Sequence, residues 1–325
     1  MDKKYPISFA IAASAALIAG FGSAFAQSYP SQPIRFIVPY AAGGGVDIVA
    51  RAIAPKLSEA LGQPVVIDNR GGAGGNIGTE LAARTEPNGY TIVMGAAAFA
   101  INATLYRKLS FDPLKDFVPI SLIVATPNIL AVHPAVPAKS VGDLIKLGKS
   151  KPGSLNYASA GNGTTSHLAA ELFKTMAGIN IVHIPYKGTS PAVVALLSGE
   201  AAIMVAPALA LLPHVKGNRV RGLAVTGVKR SPAMPELPTV AESGVPGFEA
   251  RQWYGVLAPA GTPKEIVTRL NREVVKIVRS PEVTKRFLSE GSEPIGSTPE
   301  EFARYIKSEI AKWAKAVEAS GARLD

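Results

Sequence analysis

Short β-branched runs alternate with helically spaced apolar residues along most of the chain. The run IRFIV at 34–38 predicts a strand. Apolar residues at 46, 49, 53, 57 and 61 then repeat every three or four positions and predict a helix over 46–61. Gly62 ends that helix, and Pro55 inside it predicts a kink. A strand at 65–67, a helix at 76–84 and a strand at 91–94 follow. This βαβα order predicts a parallel sheet with helices on both faces. The stretch FVPISLIVATPNILAVHP, 117–134, predicts a long extended segment, broken near Pro127, that carries the chain from one domain to another. A second unit follows, with a helix from Ser140 to Lys149 (Ser140 and Asp143 forming a capping box), a strand at 156–158, a helix at 164–177 stopped by Gly178, a strand at 181–184, a helix at 191–197 and strands at 202–205 and 222–225. Residues 229–248 read as a wrapping loop and 254–257 as a returning strand. Three helices finish the chain. Thr262-Pro263-Lys264-Glu265 and Thr298-Pro299-Glu300-Glu301 each offer an N-cap, a proline at the first helical position and a glutamate at the third.

Composition adds the compartment. Lys3 and Lys4 precede an apolar run over 7–26 that ends Ala24-Phe25-Ala26, the layout of a secretory signal peptide cleaved before Gln27. The chain has 325 residues and no cysteine. It therefore has neither a lipid-anchor site nor disulfides, and its core must hold it. The length suits two domains. No later window has the roughly 18 uninterrupted apolar residues of a spanning helix. The formal charge is +10, but lysines and arginines are scattered and few aromatics interleave, which excludes a nucleic-acid stripe.

Three glycine-rich turns recur at strand-to-helix junctions: AAGGGVD (41–47), RGGAGGNIG (70–78) and SAGNGTTSH (159–167). A fourth, YKGTSP (186–191), has less glycine. Helix starts present unpaired N–H groups and a partial positive charge. Glycine lets a ligand approach that backbone. Facing turns from two units would hold a carboxylate or another oxyanion. Asp47 reads as the cap of its helix. Ser159, Thr164, Thr165 and Ser166 suit either capping or hydroxyl donation, and Tyr40 and Phe99 either wall a pocket or pack in the core.

Other chemistries fit poorly. In GAGGNIG the third dinucleotide glycine falls at Ile77, and in GNGTTS it falls at Ser166. Lys187-Gly188-Thr189 reverses the P-loop order. There is no G-x-S-x-G elbow. His133, His167, His183 and His214 lack metal-ligand spacing, so no metal or cofactor is expected. His167, in the first turn of its helix, reads as a structural hydrogen bonder rather than a base.

The motifs YPSQPIRFIVPYAAGGGVD, LGQPVVIDNRGGAGGNIG, LNYASAGNGTTSHLAAELF, HIPYKGTSPAV, PELPTVAESGVPGFE and WYGVLAPAGTP run in order along the chain. In them the chain resembles the Bug family, the extracytoplasmic solute-binding receptors of tripartite tricarboxylate transporters. The resemblance implies an α/β fold of the type II periplasmic binding kind, with two α/β lobes joined by crossover strands around a ligand cleft. It places one lobe at 27–126 plus 253–325 and the other at 127–252. It implies a periplasmic, non-enzymatic monomer that binds a small carboxylate and works with membrane transporter subunits. The implied ligand residues are Tyr40, Ala42, Gly43, Gly44, Gly74, Gly75, Asn76, Ala97, Ser159, Ala160, Gly163, Thr164, Thr165, His167 and Ala206. Family members often carry Thr where this chain has Val46, and Asp where it has Ala195 and Ala206. An acidic amino acid is therefore disfavoured, and an aliphatic or aromatic acid favoured. Ligand sensing for a signalling receptor and an exported hydrolase are the alternatives.

Overall fold

The computed structural model describes residues 29–320, so the expected signal peptide lies outside the described residues. Its order is β1 (Ile34–Val38), α1 (Gly45–Leu61), β2 (Val65–Asn69), a short 3-10 turn (Ala73–Gly75), α2 (Asn76–Ala83), β3 (Thr91–Ala96), α3 (Ala97–Leu105) and β4 (Phe117–Val132). Then come α4 (Val141–Ser150), β5 (Leu155–Ser159), α5 (Thr165–Ala177), β6 (Ile181–Pro185), α6 (Thr189–Ser198), β7 (Ile203–Pro207), α7 (Ala208–Lys216) and β8 (Arg221–Val225). The last elements are β9 (Arg251–Pro259), α8 (Lys264–Val278), α9 (Pro281–Ser289), β10 (Glu293–Pro294) and α10 (Pro299–Ser320).

The ten strands form one sheet in the order β2-β1-β3-β9-β4-β7-β5-β6, with β8 and β10 also paired to β4. The parallel sheet expected of the first βαβα unit forms as β2-β1-β3, and β7-β5-β6 is parallel as well. Between those groups every pairing is antiparallel, because β9 and β4 run back across the molecule. The long segment is not broken at Pro127. β4 runs 16 residues without interruption. It changes neighbours instead: Phe117 to Pro127 pair with β9, and Asn128 to Val132 pair with β7. Register shifts between Pro119 and Ser121 and between Leu122 and Val124 absorb its twist.

Burial explains which elements form. The predicted stripe of α1, Val46, Val49, Ile53, Leu57 and Leu61, is buried and packs with β1 and with Val267, Leu270 and Val274 of α8. The helix continues through Pro55. The α4 cap forms as expected: Ser140 Oγ accepts from Asp143 N at 3.1 Å, while the Asp143 carboxylate accepts from Lys139 N. The α10 box also forms, with Glu301 N donating to Thr298 Oγ1 and Thr298 N to the Glu301 carboxylate. The box at 262–265 does not form. Thr262 Oγ1 turns back to the Pro259 carbonyl, and no side chain caps α8. Helices α3 and α7 had no periodic signal. Seven of the nine residues of α3 are Ala, Phe, Ile or Leu, and none of the nine is exposed, so no polar face marks a period. Among the described residues no helix is long and apolar enough to cross a membrane.

Candidate functional site

The carboxyl ends of β1, β2, β5 and β6 bring the glycine-rich turns together. The fourth turn, YKGTSP, carries one direct bridge: Ser190 Oγ donates to the Ala42 carbonyl at 2.8 Å. Gly44 lies against Thr189, and a β-carbon on it would sit 3.3 Å from the Thr189 β-carbon. A β-carbon on Gly161 would be 3.0 Å from the Tyr186 carbonyl and 3.7 Å from Gly74 N. Gly74, with φ +62°, faces the Asn162 carbonyl oxygen so closely that only hydrogen fits between them. The turns of the first group of strands therefore meet those of the second in a closed cleft.

Three of the helices that start at these turns begin on glycine, whereas α5 at the third turn is capped by Thr164. Helices α1, α2 and α6 follow Gly44, Gly75 and Gly188, and none has a side-chain cap. Helix α4, away from the turns, is capped by Ser140. Asp47 was expected to cap α1. It sits instead at the third helical position and reaches back past the helix start: its carboxylate accepts from Gly43 N at 2.8 Å, Arg51 Nε at 2.8 Å and Asn69 Nδ2 at 3.0 Å. Burial acts to raise its pKa, but these bonds outweigh it and hold the carboxyl below the usual range. The first-turn N–H groups of α1 are thus left without a side-chain acceptor.

The remaining site residues divide by role. Tyr40 OH donates to the Gly74 carbonyl at 2.8 Å and fixes the second turn against the first. Asn76 Oδ1 accepts from Asn102 Nδ2 at 2.7 Å. Ala97 N, at the start of α3, is taken by Gln252 Oε1, which also accepts from Thr165 Oγ1 and so ties the two halves together. In the 159–167 turn many donors are satisfied internally. Ala160 N bonds Ser166 Oγ, Gly161 N bonds Ser159 Oγ, and Gly163 N bonds His167 Nδ1. Thr164 caps α5. Ala206 is fully buried in a core cluster with Ile129 and Ala195, and it is Pro207 that faces Gly45. Phe99 packs in the core on Phe111 and Phe117.

Several residues at the cleft carried no sequence signal. Tyr254 is fully buried and its hydroxyl faces Gly45 with no hydrogen-bond partner. The Oδ1 of Asn102 is likewise unpartnered and faces Gly163. Ser159 Oγ lies 2.6 Å from His183 Nε2, and the His183 ring stacks between His167 and Tyr157 at centroid distances of 4.3 and 4.7 Å. This Ser–His pair joins residues 24 apart in sequence, so only the parallel β5–β6 pairing brings it together. Among the described residues no cluster of three or more His, Asp or Glu is arranged to hold a metal.

Residues 49–322 match the family described as tripartite tricarboxylate transporter family receptor. The chain belongs to that family. BugT of Bordetella pertussis is 38% identical over 301 residues, covering 92% of each chain. A solved Rhodopseudomonas palustris structure with adipate is 40% identical, with a TM-score of 0.89, and covers 91% of this chain and all of that one. MatC from Rhodopseudomonas palustris, solved with bound malate, is 31% identical with a TM-score of 0.86, and covers 89% and 100%. The chain is similar also to the periplasmic binding protein BugD, 35% identical with a TM-score of 0.88 over 91% of this chain and 99% of that one. As a member of this receptor family the chain has the mixed α/β fold of solute-binding proteins.

One buried and two half-buried histidines give the receptor an acid sensitivity. Burial lowers the His183 pKa to about 4, and neighbouring His167 adds to the effect; nearby Glu171 only partly opposes it. The unfolded chain takes up this proton near 6.5, before the native chain does. Stability is therefore complete above about pH 6.5 and falls as pH drops through the window down to about 4. His167 and His214, also lowered chiefly by burial, act in the same direction. Urea midpoints at pH 7 and pH 5 should show the drop, and His183→Gln should remove part of it. An equal drop in both proteins would refute the assignment to His183.

Proposed function

We propose that the mature chain is exported to the periplasm, captures a small carboxylate between two lobes and delivers it to the membrane subunits of a tripartite transporter. The observation that carries this reading is the convergence of α1, α2 and α6, all started by glycine and none capped by a side chain, on one cleft. Their N–H groups and partial positive charges suit an anion without a fixed cation. The adipate- and malate-bound relatives support a carboxylate as that anion. The lobes we assign are 27–126 with 253–325, and 127–252. The change of β4 neighbours after Pro127 supports that division. Ligand contacts are assigned to the 42–46 and 74–76 backbone, to Tyr254 and Asn102, and to the 159–165 turn. Val46, Ala195 and Ala206 are all buried apolar residues of the core clusters. No carboxylate stands at any of these three positions to meet a ligand amine, which favours an aliphatic or aromatic acid over an acidic amino acid.

The protein performs no chemistry in this reading. Ser159 is fully buried, and its hydroxyl also accepts from Gly161 N. The Glu171 carboxylate accepts from Tyr157 OH rather than orienting His183. A nucleophile needs a base held by a third group, and this pair has none among the described residues. A thermal-shift screen across aliphatic, aromatic and amino carboxylates tests the function. At least one acid should raise the melting temperature. No shift anywhere, or turnover of an ester panel, would overturn the reading.

Tyr254→Phe separates ligand contact from structure. A buried hydroxyl with no partner costs about 1–3 kcal/mol, so its removal should leave the free protein as stable or raise its melting temperature. Affinity for the captured acid should fall by about ten-fold, the loss of one hydrogen bond to a charged group. Unchanged affinity would remove Tyr254 from the site.

A further inference from the structure

A second cavity, of about 820 Å³, lies where β4 and β9 cross between the two groups of strands. Its volume is in the range of small-molecule sites. Ala125 and Leu288 line it from the β10 side, and Val228, Pro232 and Ala233 from the loop after β8. Val228 and Leu288 are 67% and 54% exposed, and both lie in the lining of this one cavity. The charged lining is strongly one-sided: Lys216, Lys229, Arg230 and Arg251 against Glu293. Arg251 is paired with Glu293 at 2.9 Å, and Arg230 with Glu242 at 2.9 Å. Lys216 and Lys229 have no ion-pair partner among the described residues. Ser292, 3% exposed, also lines the cavity, and its hydroxyl has no hydrogen-bond partner. A buried polar group left unpaired needs a physical account.

We propose that this cavity binds an amphipathic organic anion. Lys216, Lys229 and the Ser292 hydroxyl are the donors for its acid group, and Val228, Leu288 and Pro232 are the walls for its apolar body. Ion-pair gain at exposed lysines is modest on its own, so burial of the apolar body supplies much of the affinity. The site is separate from the glycine-rich turns, and its occupancy does not require the carboxylate reading of that cleft.

Decanoate is a suitable probe, titrated into the mature protein with valine, leucine and alanine methyl groups followed by NMR. Saturable shifts are expected at Val228, Leu288 and Ala233. The exposed double variant Lys216→Glu with Lys229→Glu should keep its fold and weaken binding by about ten-fold or more, a free-energy loss of about 1.4 kcal/mol. Ser292→Ala should weaken binding without lowering the melting temperature of the free protein. Absence of shifts, shifts confined to residues 42–46, 74–76 and 159–165, or full affinity in the double variant would each overturn the proposal. Failure of the acid screen at the main cleft would leave these shifts in place.

Discussion

Gly74→Leu should reduce affinity for the captured acid by about a hundred-fold or more, equivalent to about 2.7 kcal/mol, while the chain stays folded. Gly74 has φ +62° and faces the Asn162 carbonyl across the cleft with no room for a side chain. The left-handed backbone costs a non-glycine residue about 1–2 kcal/mol, a penalty confined to one turn. The collision with Asn162 exists only while the two sets of turns meet. Opening the cleft relieves it, so the leucine acts against closure and not against either half. Since a ligand shifts an equilibrium only by its preference for one state, a cleft held open forfeits the contacts from the far side. Calorimetric titration gives the affinity, and circular dichroism with thermal melting reports the fold. Retained affinity would show that closure over Gly74 is not needed for capture. Collapse of the fold would show that the turn's glycines serve structure alone.

Glu309→Leu should be the most damaging single change remote from the cleft. Glu309 is 6% exposed and its carboxylate accepts from the indole N–H of Trp253 and of Trp313, each at 3.1 Å. Both rings are buried, and Trp253 packs edge-on against Phe302 and Tyr305. The Trp253 bond fastens α10 to β9, the Trp313 bond lies within α10, and α10 also packs on α3, β4 and α5, so it holds both halves of the sheet. Each orphaned buried N–H costs about 1–3 kcal/mol, in part offset because the buried carboxylate is also removed. The melting temperature should fall by several degrees. Glu309→Gln keeps an acceptor oxygen for the indoles and should lose less than half as much. Equal stability of Glu309→Leu and the parent would refute the role of the carboxylate.

The sequence made the regular parts of this fold legible wherever burial is one-sided. Helix α1 shows its stripe because one face packs on β1 and α8 while Arg51, Lys56 and Glu59 face outward. Helix α3 hid because none of its residues is exposed, and β4 and β9 were legible as extended segments but not as antiparallel ones, because strand direction leaves no mark on an apolar run. Thr262 and Thr298 show the limit of local motifs. They begin similar tetrapeptides, yet only Thr298 caps its helix. The glycine-rich turns were readable as helix starts. What faced them was not. Tyr254, Gln252 and Asn102 come from segments distant in sequence and reach the cleft only through the sheet order. Asp47 misled for a related reason, since its partner Asn69 arrives from the end of the neighbouring strand β2.

The most direct test is a crystal structure of the mature protein with the tightest acid from the screen. A closed cleft is expected, with a ligand carboxylate within about 3.2 Å of backbone N–H groups at 44–46 or at Gly74 and the Tyr254 hydroxyl bonded to the ligand or to a water that touches it. A carboxylate held chiefly by lysine or arginine side chains, or bound outside the glycine-rich turns, would contradict it.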